Sequence, residues 1–259
     1  MAFPKFTEGA PKRPDIHHDH GFLDDGKGNL DASKRESPTW KDYRSYYWWK
    51  TKLEGAEVLR KDLKNATDAY RHFLVDADGK DFDVDYNGFL NSDDAGKTVL
   101  KSAIEDTRSS AIAIHDGKVT TPPTSKTEDS FSITSDTIPV GGGDSRYPYP
   151  KTENWQKAIG AHFKWIDGAV KVTSDPALKK RQFEIRMTIH MEDMYNFNPG
   201  AHDIATGVAD AENGRFEITG LGKEFLSKAT VGRTIKFSVP FGPLPDTRVQ
   251  PADEDVSRR

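Results

Sequence analysis

The apolar positions change period partway along the chain. From about residue 37 to residue 114 they recur every three or four residues, the spacing of helices with one buried face. Leu59, Leu63, Ala66, Tyr70 and Phe73 form one such stripe, and Val99, Leu100, Ala103, Ile104, Ala111 and Ile114 form another. Ser37-Pro38 predicts the first helical start, because Ser caps well and Pro suits a first turn. Asp76-Ala-Asp-Gly79 stops that run. A further helix is predicted from near Ser92, with Asp93 and Asp94 in a first turn where the helix dipole favours anions, and it ends at His115-Asp-Gly117. After a polar Pro/Ser/Thr stretch, alternation takes over. Phe131-Ser-Ile133 and residues 162–172, 182–191 and 233–239 read as strands. Residues 220–228 read as a short helix packed through Leu221 and Phe225.

The alternation is plainest after Arg181. Phe183, Ile185, Met187, Ile189 and Met191 fall on one face, and Gln182, Glu184, Arg186, Thr188, His190 and Glu192 on the other. The predicted fold class is therefore α+β, an N-terminal helical half followed by a mostly antiparallel β-sheet half. The corresponding division is an extended or disordered arm (1–36), a helical subdomain (37–117), a linker (118–127), a β-rich functional domain (128–242) and a tail (243–259).

Composition narrows the function classes. With 259 residues the chain can bury a sizeable core as one large domain or two small ones. It is 35% hydrophobic and 30% charged, with a mean hydropathy of −0.74, so stable membrane insertion is not expected. The first residues lack an apolar h-region, which points to the cytoplasm or to export by a route without an N-terminal signal peptide. Cysteine is absent, which removes disulfides, thiolate metal sites and cysteine nucleophiles together. The net charge of −4 is spread as mixed signs without a basic stripe, so nucleic acid is not an expected partner. The local marks of serine hydrolases, P-loop NTPases and dinucleotide enzymes are missing too.

Polar chemistry concentrates in residues 181–215. His190, Glu192, Asp193, His202 and Asp203 are the candidate catalytic residues. His190 and Glu192 share one strand face about 7 Å apart, a separation suited to an acid and a base working on opposite sides of a bond. Asp193, His202 and Asp203 would assist, with Pro199-Gly200 folding the chain back. The same five side chains could hold zinc or another divalent ion, though their spacing matches no standard signature; the cofactor is left unknown. The bland reading is a solvated sheet face running into a turn. Asn213-Gly214 reads as a tight turn, locked by Arg215 pairing with Asp210 or Asp203.

Three other stretches carry two readings each. Residues 83–94 resemble a calcium loop at Asp83, Asp85, Asn87 and Gly88, but Asp94 replaces the usual Glu, and an ordinary interhelical loop is the preferred reading. Trp40, Tyr43, Tyr46, Tyr47, Trp48 and Trp49 could stack on sugars or bases; on a helix they read first as a core or domain-contact face. His17-His18-Asp19-His20 could bind a transition metal adventitiously, but without supporting partners it reads as incidental.

The segment from Asn154 to His162, with His190-Met-Glu-Asp-Met-Tyr-Asn-Phe-Asn-Pro-Gly200 and Asn213-Gly-Arg-Phe-Glu217, resembles C-terminal domains of bacterial polymorphic toxins and bacteriocin-like effectors. That resemblance implies an antagonistic effector moved without a Sec signal and held by an immunity or carrier protein. The leading expectation is an effector- or toxin-like enzyme acting by acid–base chemistry on a polar substrate of the cell-envelope or glycan kind. The alternative is a non-enzymatic binding or structural module that docks a partner through its aromatic helical face.

Overall fold

A computed structural model describes residues 4–119, 123–201 and 210–241, and the backbone alone of 257–258. The fold is α+β, helices first and a mostly antiparallel sheet after. Helix α1 (Trp40–Leu59) starts two residues later than Ser37-Pro38 predicts, because Thr39 and Asp42 form a reciprocal capping box there. Helix α2 (Lys64–Arg71) continues through a π-turn to Asp76 and stops at Ala77, whose φ of 45° is left-handed. Helices α3 (Tyr86–Ser92) and α4 (Asp94–Lys118) follow. The stretch that resembles a calcium loop is spent on their caps. Asp85 accepts from Gly88 N, and the buried Asp93 accepts from Ala95 N, Thr152 N and Thr152 Oγ1.

The sheet order is β1 (Phe6–Glu8), β3 (Thr127–Ser135), β5 (His162–Asp175), β6 (Lys180–Tyr195), β7 (Phe225–Pro240) and β2 (Phe82–Asp83). β4 (Ile138–Val140) adds to β5, and β8 (Ser257–Arg258) pairs with β7; the strand pairs are antiparallel except β2–β7. Short helices α5 (Glu153–Ala158) and α6 (Ala211–Thr219) interrupt the β-rich half.

One face of the sheet packs on α3 and α4. Ile133, Ile166, Ile185, Ile189 and Ile235 from the strands meet Phe89, Val99 and Ala103 from the helices in one core. Ile185, Met187 and Ile189 are buried while Arg186 is exposed, the face assignment that alternation predicts. Ile189 is fully enclosed, so Ile189→Ala is expected to cost about 2–5 kcal/mol in urea unfolding; a loss below about 1 kcal/mol would contradict its enclosure.

Four local expectations are corrected, and a fifth, on the arm, is sharpened. The predicted helix at 220–228 is instead a turn and the start of β7, since Phe225 through Ala229 pair with Tyr195 through Met191. Asn213-Gly214 lies inside α6 and is not a turn. A Cβ on Gly214 would stand 2.0 Å from the Phe22 ring, so glycine is required there for close packing of the N-terminal arm. Arg215 pairs with Asp42 and Glu36, drawing α6 to α1. In α1 only Tyr46 and Trp49 pack on a second core around Phe73, Phe216 and Phe225, while Trp40 (81%), Tyr47 (62%) and Trp48 (60%) are exposed. Residues 4–36, expected as an extended or disordered arm, are extended yet docked, with β1 paired to β3 and Ile16 and Leu23 buried.

Candidate functional site

β6 outruns β5. Glu192 is its last residue paired to β5, opposite Phe163, whereas Asp193, Met194 and Tyr195 pair only with β7. The sheet therefore opens at Asp193. A cleft of about 760 Å³ lies there, between α1 and α2 on one side and the ends of α5 and β6 on the other. Trp49, Tyr70, Tyr149, Tyr195 and Phe197 supply aromatic surface to it. Gln156, Asn196, Asn198 and Asn213 supply amides, and Lys52 and Lys157 supply amines. A second cavity of about 600 Å³ runs between the arm and the β4–β5 edge. Asp19, Ala161, Asp193 and Met194 line both, so the two spaces meet at a pair of carboxyl groups.

The two carboxyls differ in surroundings. Burial, reinforced by the nearby charge of Asp19, lifts the Asp193 carboxyl well above the usual carboxylate range. It therefore keeps its proton to higher pH than an exposed carboxyl does. Asp19 is exposed and its Oδ1 accepts from Gly21 N at 3.0 Å and Asn196 Nδ2 at 2.9 Å, hydrogen bonds that serve an anion. Two neighbouring carboxyls in such unequal surroundings can act as an acid and a base.

Neighbouring groups fix this pair. Glu217, on α6, accepts from Phe197 N at 2.8 Å and is also bonded by the backbone of Phe22. Burial pushes its carboxyl up to about 9, so it is neutral and ties the arm to the segment after β6. His162, buried on the cavity wall, donates from Nδ1 to Gly160 O at 3.1 Å and accepts the Tyr86 hydroxyl at 2.9 Å. Desolvation lowers it to about 4, which keeps it uncharged.

The sequence-derived candidates separate. His190 and Glu192 share the sheet face opposite the main core, as alternation requires, and Asp193 points to the other face. His190 stacks on Trp165 with ring centroids 3.7 Å apart, its Nε2 2.5 Å from Asp167 Oδ2. Glu192 is held by Arg13 Nε and Nη2 at 2.7–3.0 Å. Burial would raise its carboxyl, but the hydrogen bonds and charge of Arg13 outweigh this and leave it low. Neither residue lines either cavity. His202 and Asp203 lie outside the described residues. A shared metal centre for His190, Glu192 and Asp193 conflicts with these opposed directions, and among the described residues no group of three potential ligands converges.

Asp19, Glu217 and His162 are the contributors that sequence reasoning missed. The Asp19 signal sat inside a histidine-rich stretch, and only tertiary contact singles it out. Comparison with known proteins finds no matching family model, no matching curated protein and no matching solved structure. Among the described residues no helix is long and apolar enough to cross a membrane.

Proposed function

We propose that the chain is an acid–base enzyme acting on a glycan, with Asp193 as the proton donor and Asp19 as its anionic partner. The observation that carries this reading is the junction of two cavities at the Asp19–Asp193 carboxyl pair. Aromatic rings beside amides are the lining that sugars use, an apolar ring face with hydroxyl partners at its rim. Asp193 protonates the departing glycosidic oxygen, and Asp19 either activates water or stabilises the cationic sugar. Space on both sides of the pair suits a polymer cut within its length.

The toxin resemblance supports an effector setting for this chemistry: an antibacterial protein held by an immunity or carrier protein. The test is release of reducing ends from purified cell-envelope and plant polysaccharides, run on wild type, Asp193→Asn and the His190→Ala, Glu192→Ala double variant. The expected result is loss in the first variant and retention in the second. Loss only in the second would move the chemistry to the opposite sheet face and overturn the proposal. A second reading, a docking module, is favoured by the exposed Trp40, Tyr47 and Trp48.

A further inference from the structure

The exposed side of α1 is not an isolated patch. From Trp40 to Lys52 it carries four cations, Lys41, Arg44, Lys50 and Lys52, and a single carboxylate, Asp42. Asp42 is turned inward, where Arg215 Nε and Nη2 donate to it at 3.0 and 3.1 Å, so it does not offset the cations on the outer side. At 100° per residue, Trp40, Arg44, Tyr47 and Trp48 fall on one outward stripe with Lys41 at its edge. The stripe reaches the cleft through one side chain. Lys52 Nζ lies 5.1 Å from the exposed Trp48 ring and 4.2 Å from the Trp49 ring, and both Lys52 and Trp49 line the cleft. Trp49 is fixed there by donating from Nε1 to Glu212 at 2.7 Å.

We infer that α1 is the docking surface for an anionic polysaccharide, whose strand lies along Trp40, Arg44, Tyr47 and Trp48 and enters the cleft past Lys52. The inference rests on the glycan reading of the cleft and adds the sign of the substrate's charge and its path. Sugar rings stack on the exposed indoles and phenol, and their acidic groups meet Lys41, Arg44 and Lys52. A cation between two indoles is held by their ring faces, so Lys52 presents a fixed charge at the entrance. An anionic bilayer would meet the same cations and aromatics. Continuity with an amide-lined cleft favours the polymer.

The experiment measures retardation of the full chain in native gels containing polygalacturonate, dextran sulfate or neutral dextran. Sedimentation with phosphatidylglycerol vesicles runs in parallel. Three proteins are compared with wild type: Trp40→Ala/Tyr47→Ala/Trp48→Ala, Lys41→Glu/Arg44→Glu, and Asp193→Asn, each checked by circular dichroism. The changed α1 side chains are on the solvent side, so folding is expected to persist. At least one anionic polymer should bind with neutral dextran inert, and both α1 variants should need at least tenfold more polymer. Binding that survives loss of the three aromatics is mere charge attraction and overturns the inference; so does vesicle binding without polymer binding. Polymer that binds in this way but is never cleaved leaves α1 as assigned and removes only the enzymatic reading. Cleavage of neutral glycans alone, with the α1 variants fully active, removes only the α1 assignment.

Discussion

Asp193→Asn is expected to lower glycan cleavage by about 10²–10⁴-fold, the usual contribution of a positioned acid, while leaving the fold intact. The amide keeps the size of the side chain and cannot give up a proton to a leaving oxygen. It also removes a carboxyl that burial and the charge of Asp19 keep from ionising as it does in the unfolded chain. Stability should therefore hold or rise as activity collapses, a pattern that distinguishes loss of chemistry from loss of structure. The pH profile adds a second readout. Because the Asp193 carboxyl is raised and acts in its protonated form, activity should fall on the alkaline side, and that limb should vanish in the variant's residual rate. Cleavage unchanged in Asp193→Asn would end the assignment.

Glu217→Gln is expected to make the protein more resistant to unfolding as pH rises. In the fold the Glu217 carboxyl sits near 9, against 4.5 for the free side chain. The native state therefore holds a proton that the unfolded chain releases. Its contribution is complete below about 4.5 and is lost progressively as pH climbs toward 9. At about 1.36 kcal/mol per pH unit, wild type should lose roughly 3 kcal/mol relative to Glu217→Gln between pH 5 and pH 7. Glutamine keeps the acceptor that Phe197 N and Phe22 use and has nothing to titrate. Urea unfolding of both proteins across pH 5–8 measures the difference. Parallel curves would mean that Glu217 is ionised in the fold and that the arm is held by other contacts.

The framework was legible where one local rule and the tertiary environment agree. Ile185, Met187 and Ile189 alternate because their strand has a core on one side only, and Asp93 stands where α4 needs a cap. Reading failed where a distant segment overrode the local signal. Asn213-Gly214 looks like a turn until Phe22 arrives and requires a bare backbone within a helix. Leu221 and Phe225 have helical spacing, yet the backbone of Tyr195 offers Phe225 a strand partner. The aromatics of α1 look like core, but the second core takes only Tyr46 and Trp49 and leaves the rest in water. In the site, Asp193 reads from sequence as an assistant to His190 and Glu192. Strand geometry turns it the opposite way, and no periodicity reveals that Asp19 meets it there.

That meeting has a consequence for the timing of synthesis. Asn196 and Asp19, joined by a 2.9 Å hydrogen bond, are 177 residues apart in the chain. β1 of the arm can pair once β3 exists, but Phe22 cannot settle until α6 exists, because its ring rests on Gly214 and its backbone on Glu217. A nascent chain therefore carries Asp19 long before Asp193, the residue it meets, has been made. On the glycan reading proposed above, a growing polypeptide has no cleaving centre until the segment around Asp193 folds against the segment around Asp19.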